Sequence, residues 1–238
     1  MERLDKVLAN LGYGTRKEIK QAIRKGLIEV NGELVKDNGM QIDPEQDKIC
    51  VNGEEIFYRK YIYLMMNKPD GVVSATHDNR DETVIDLLEI EHQVFNPFPV
   101  GRLDKDTVGL LLLTNDGDLN HRLISPKWKV DKIYYAKINK KVTDEDIKKF
   151  KGGITLDDGY TCKEAKLEII EASDEGSEVM ITIQEGKYHQ VKRMFEAVDK
   201  NVIYLQRVEF GTLKLDDDLE EGEYRELTEE EVKLIEER

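Results

Sequence analysis

Cysteine is nearly absent from this chain: of 238 residues only Cys50 and Cys162 carry thiols, far apart and without C-x-x-C spacing. That excludes a disulfide framework and a cysteine-bound zinc, and the expected compartment is a reducing one. Histidine is as scarce, and His77, His92, His121 and His189 share no metal-ligand spacing, so no metal is expected. No apolar run approaches the roughly 18 residues a membrane helix needs. Met1 is followed at once by Glu2 and Arg3 rather than by an apolar leader, so a soluble, cytoplasmic chain with no membrane partner is expected. A glycine loop of the phosphate-cradling kind is missing too, and no cofactor is expected.

Charge is plentiful and unevenly placed. The net charge of -14 taken alone argues against a polyanionic partner. However, residues 214–238 hold 12 acidic against 4 basic residues, whereas residues 1–36 hold 8 basic against 5 acidic. A nucleic-acid surface is read from local patches rather than from the sum. The length suits a medium domain plus a small one, and 39% apolar residues can fill their cores.

Periodicity places the elements. Leu4, Val7, Leu8 and Leu11 share a helical face that Gly12 and Gly14 close. Thr15 with Glu18 forms a capping box for a second helix, whose buried stripe is Ile19, Ala22 and Ile23 and whose outer face carries Arg16, Lys17, Lys20 and Arg24. Gly26 stops it, and residues 28–35 read as a hairpin around Asn31-Gly32. Short strands follow, turning at Asn52-Gly53 and ending at Phe57 and Tyr58, and Arg59-Lys60 marks the linker. Residues 61–66 begin the next sheet, ahead of an Asn67-to-Gly71 turn, and residues 83–88 read as a short helix. Val108 to Leu113 is apolar apart from Gly109 and reads as a fully buried strand ending at Asn115-Asp116-Gly117, with a helix over 118–124 broken at Ser125-Pro126. Further strands are expected at 132–138, 162–170, 178–183 and 202–211, and helices at 142–150 and behind Thr228.

One acidic residue stands just ahead of the buried strand. Asp104 lies between Arg102 and Lys105, neighbours that would keep a carboxylate ionised and could draw in a phosphate. On composition alone this is a solvated loop before a core strand. The order G-R-L-D (101–104) followed by T-x-G-L-L-L-L-T-N-D-G (107–117) resembles the active-site motif of the pseudouridine synthases, in the branch that modifies ribosomal RNA and carries an amino-terminal S4-type domain. Residues 3–8 and 12–32 are likewise similar to the S4 RNA-binding module over almost its whole length.

The resemblance implies an α+β protein: a small S4-type RNA-binding domain at 1–59, then a mixed, mostly antiparallel-sheet catalytic domain at 60–238. It implies that Asp104 is catalytic and that Tyr134, in K-x-Y at 132–134, stacks on the target base. It also implies that Lys192, two after Gln190, pairs with the aspartate. Many members have arginine there, so a point charge replaces a planar two-pronged contact. Leu205 and Arg102 would complete the pocket, beside which Arg207 would lie, and the turn at Asn67–Gly71 would shape it. Arg16, Lys17, Lys20, Arg24 and Lys25 would meet RNA from the module, and Lys187 and Arg193 would contact phosphate from the catalytic domain.

Within this branch the likeness is greatest to small-subunit enzymes. It rests on the stretches 67–78 and 116–126 and on an acidic carboxyl-terminal region where large-subunit members often run into a basic tail. The expectation is a monomer acting on one uridine of 16S ribosomal RNA, within a partly assembled subunit. The same reaction on 23S RNA is the alternative. A noncatalytic S4-type assembly protein is the reading from another class.

Overall fold

The computed structural model describes residues 1–44, 46–56, 59–125 and 127–237. Phe57 and Tyr58, where the last amino-terminal strand was expected to end, and Pro126, the expected helix breaker, lie outside them. The chain divides into two compact units, Met1–Ile62 with Glu89–Pro97, and Tyr63–Leu88 with Phe98–Arg238.

The smaller unit sets two helices, Leu4–Asn10 and Arg16–Arg24, beside a four-stranded sheet. Thr15 and Glu18 close the capping box reciprocally, with the Glu18 carboxylate accepting from Thr15 N at 2.7 Å. Such a cap contributes about 1 kcal/mol and fixes where the helix begins. The hairpin turns at Asn31 and Gly32, with φ of 53° and 82°, the left-handed pair that a two-residue turn between twisted strands requires. Leu4, Leu8, Ile19, Ile28 and Ile49 fill the core and are all but inaccessible.

The larger unit is built on a nine-stranded sheet whose main path runs Lys166–Ser173, Gly176–Ile183, Lys132–Ile138, Val202–Phe210, Val108–Thr114, Tyr63–Lys68, Tyr224–Glu226. Every pairing is antiparallel except that of Val108–Thr114 with Val202–Phe210. The fold is therefore mixed and mostly antiparallel, as expected. Val108–Thr114 is buried at every position because it lies inside the sheet. Each of its four leucines contributes roughly 1.5–3 kcal/mol of burial. Gly109 makes the parallel junction possible: at φ 98° a Cβ there would collide with the backbone oxygen of Arg207 and stand 2.9 Å from its nitrogen.

One expected element is different. Residues 84–87 form turns after a bridge at Thr83, and a short helix appears instead at Ile90–Gln93. Thr83 and Asp86 do exchange the bonds of a capping box, Thr83 N to Asp86 Oδ2 at 2.8 Å and Asp86 N to Thr83 Oγ1 at 3.4 Å. But Val84 N donates to Val73 O, which commits this backbone to a bridge with residue 73 rather than to a helix.

Candidate active site

Asp104 opens a tight turn, in which Thr107 N donates to Asp104 O at 3.0 Å. The segment after the strand Tyr63–Lys68 holds this turn from behind. Lys68 is fully buried, and its ammonium donates to three carbonyls: Pro69 O at 2.9 Å, Lys105 O at 3.1 Å and Thr107 O at 3.0 Å. Gly71 N donates to Lys105 O as well, and the Ser74 hydroxyl both donates to Leu103 O and accepts from Leu103 N. Burial pulls the Lys68 ammonium down to about 8. Lys68 is thus a positioning group, and its chemistry is spent on backbone.

The carboxylate of Asp104 faces the loop and helix at 186–196. Lys192 Nζ lies 3.4 Å from Asp104 Oδ2 and 2.5 Å from Asp106 Oδ1, so one cation serves two acids. For Asp106, burial pushes the carboxyl up, but the Lys192 ammonium outweighs it and the net direction is down. His189 Nε2 stands 3.8 Å from Asp104 Oδ1. Its backbone is left-handed, φ 48°, and its ring stacks on exposed Tyr188 with centroids 3.8 Å apart. Gln190, buried, fastens this loop by accepting from Lys187 N and donating to Glu185. Glu185 in turn accepts from Tyr160 and from Lys163 N.

Lys105, expected beside Asp104, instead pairs with Asp81 at 2.6 Å. Arg193, expected as a phosphate contact, is closed off by Asp157 and Asp158, whose hydrogen bonds hold its pKa above the ordinary arginine value. Lys187 lies over the Tyr160 ring and lines the site.

Tyr134 faces its sheet partner Arg207, and burial raises its phenol. A small cavity of about 70 Å³ lies between Asp104, Tyr134, Leu205 and Lys192. A larger one of about 670 Å³ shares Arg102, Asp104, Tyr134 and Lys187 with it. The larger volume is within the range of about 300–1,000 Å³ typical of ligand pockets. Asp104, Tyr134, Lys192, Leu205, Arg102 and Lys187, distant in sequence, are therefore brought together. Arg16, Lys17, Lys20, Arg24 and Lys25 are all exposed on the smaller unit. Sequence reasoning missed His189 and Asp106; the run Lys187-Tyr188-His189-Gln190 and the repeated acid in D-K-D were the available signals. Among the described residues no group of three or more His, Cys, Asp or Glu could hold a metal ion, and no helix is long and apolar enough to cross a membrane.

The RNA pseudouridylate synthase family model matches residues 62–197, and the S4 domain model matches residues 2–49. An uncharacterized RNA pseudouridine synthase of Bacillus subtilis is 52% identical over 99% of this chain and 98% of its own length. The ribosomal small subunit pseudouridine synthase A of Vibrio cholerae is 41% identical over 98% of this chain and 99% of its own. The ribosomal large subunit pseudouridine synthase B of Bacillus subtilis is 39% identical over 99% and 96%. A crystal structure of a pseudouridylate synthase superposes with a TM-score of 0.69 at 38% identity, covering 99% of this chain and all of the other.

Proposed function

The chain belongs to the RNA pseudouridylate synthase family and carries an S4 domain, and on that premise we propose that it isomerises one uridine of 16S ribosomal RNA to pseudouridine with Asp104 as the reacting carboxylate. The reaction breaks the bond between C1′ and N1, turns the detached uracil, and joins its C5 to the same C1′. The C5 proton is lost, and no redox equivalent or water is consumed. The observation that carries this reading is the cavity at Asp104, where a carboxylate, a lysine and a tyrosine from three separate elements converge. Asp104 acts on the ribose, as a nucleophile at C1′ or a base toward the C2′ proton. Lys192 pairs with it at 3.4 Å, and the Tyr134 ring supports the extruded base; base stacking contributes roughly 1–3 kcal/mol.

Residues 1–59 serve as the RNA-binding module and 60–238 as the catalytic domain. Arg16, Lys17, Lys20, Arg24 and Lys25 supply affinity that positions without reading sequence. With Arg193 tied to Asp157 and Asp158, Lys187 and Arg102 are the better phosphate contacts of the catalytic domain. A monomer acting on a partly assembled subunit fits a target that must be splayed out to be reached.

Small-subunit specificity is supported by relatives of that name at 38–41% identity and by the stretches 67–78 and 116–126. The large-subunit relative at 39% makes 23S RNA the second reading. Pseudouridine mapping of both ribosomal RNAs in a deletion strain separates them. Loss of one site in 16S RNA is expected, and loss confined to 23S RNA refutes the assignment while leaving the chemistry intact.

A further inference from the structure

Arg207 is 1% exposed, in the middle of the sheet, yet it borders the larger cavity beside Asp104 and Tyr134. Its Nε donates to Leu110 O at 2.8 Å, it faces Tyr134 across the sheet, and it lies over the Phe210 ring at 4.7 Å. One terminal nitrogen, Nη2, is closed off from solvent and has no hydrogen-bond partner among the described residues, which also place no carboxylate within ion-pair distance of the group. Burial pulls the guanidinium downward, but arginine stays charged. An uncompensated buried cation is costly, and replacing it by apolar groups would ordinarily favour the fold. A site that keeps one uses it on a negative charge that arrives with the substrate or develops on it.

The reaction develops such a charge. When C1′–N1 breaks, the bonding electron pair leaves with the base and spreads over N1 and the two carbonyl oxygens. On the Asp104 side the acids take up Lys192, while Arg102 and Lys187 line the cavity without being buried in the sheet as Arg207 is. Tyr134, the stacking surface of the proposed function on which this step rests, is the neighbour of Arg207 across the sheet. We infer that Arg207 acts on the reaction electrostatically, its buried and uncompensated guanidinium in the wall of the cavity stabilising the charge of the detached uracil anion until C5 rejoins the sugar. No proton is exchanged, and the role is electrostatic. Gly109 is part of the device, since only a residue without Cβ lets the Arg207 backbone pair with the central strand.

The test uses the full chain and ribosomal RNA tritiated at uracil C5, in single turnover at saturating enzyme. R207Q keeps hydrogen-bond donors and removes the charge, and R207M removes both. Both are expected to lose about 100-fold or more in rate, with RNA affinity and its salt slope unchanged. On RNA carrying 5-fluorouridine, whose C5 fluorine cannot be lost as the proton is, the rate read is the disappearance of the 5-fluorouridine nucleoside, and there the deficit should shrink because fluorine itself stabilises the departing anion. Y134F should lose less than R207Q. Wild-type turnover by R207Q, equal deficits on both bases, or a Y134F loss as large as that of R207Q overturns the inference. A loss of affinity with a salt slope flatter by about one makes Arg207 a phosphate contact and also overturns it, as does loss of the native near-UV signal in both variants. If the wild type makes no pseudouridine in any ribosomal RNA, the proposed function itself fails, which is a different result.

Discussion

Arg16, Lys17, Lys20, Arg24 and Lys25 stand exposed on the smaller unit, whereas several prominent cations of the larger unit are spent on the protein itself. Lys68 is caged by three carbonyls, Lys192 is shared between Asp104 and Asp106, Arg193 is held by two acids, and Arg225 bridges Asp216 and Glu231. The difference teaches where each free energy is used. Solvated charge on a helix attracts a polyanion at long range and yields to salt, while charge paired within the fold, buried at Lys68 and half-buried at the others, fixes geometry and is screened less. Substitutions in the first set should therefore change affinity, and in the second the chemical step.

The sharpest break expected is K192M. Leaving Asp104 and Asp106 without their shared cation should lower single-turnover rate about 100-fold or more while sparing RNA affinity; K192R, which keeps the charge, should retain most of the rate. K68M comes next. It removes three hydrogen bonds, leaving Pro69 O and Thr107 O without the Lys68 donor and Lys105 O with Gly71 N alone, at about 1 kcal/mol each, so chemical denaturation should show a loss of roughly 3 kcal/mol, with a smaller fall in turnover as the Asp104 turn loosens. Lys68 also gives a pH signature. Between about 8 and the ordinary lysine value of 10.5, the unfolded chain holds a proton that the folded chain has shed. Stability from this group thus rises with pH across that window, and K68M should lose the rise.

The module should respond differently. K17E/K20E/R24E should weaken RNA binding at low salt and flatten its salt slope by at least about three, with the rate at saturating RNA falling far less than in K192M. Equal losses in both variants would erase the contrast between the units. The smallest effect on turnover is expected from D5N. Asp5 is 1% exposed, and the hydrogen bond from Arg3, together with that from Asn38, outweighs burial and holds its carboxyl at about 2. Its stabilisation, about 2 kcal/mol, is complete above the unfolded value and lost as pH falls through about 2. Acid titration of wild type against D5N checks this.

Much of this division is legible in the sequence, because it rests on local rules. Thr15 with Glu18, Asn31-Gly32 and the leucine run at 110–113 each dictate their structure from neighbours in the chain. The strand Lys132–Ile138 and its Tyr134 are found where alternation places them. What the sequence hid depends on distant partners. Lys105 turns to Asp81, Arg193 to Asp157 and Asp158, and the backbone after Thr83 to Val73. In each case a charge or donor that looked free from its neighbours was satisfied by another element. Arg207 is the converse, a residue that looks like a strand cation and proves to be buried with a nitrogen to spare.

D104N puts the proposed chemistry of Asp104 to the test. With full-length protein and tritiated ribosomal RNA at saturating concentration, the variant should bind RNA as the wild type does and release no tritium. Substantial release by D104N would contradict the claim.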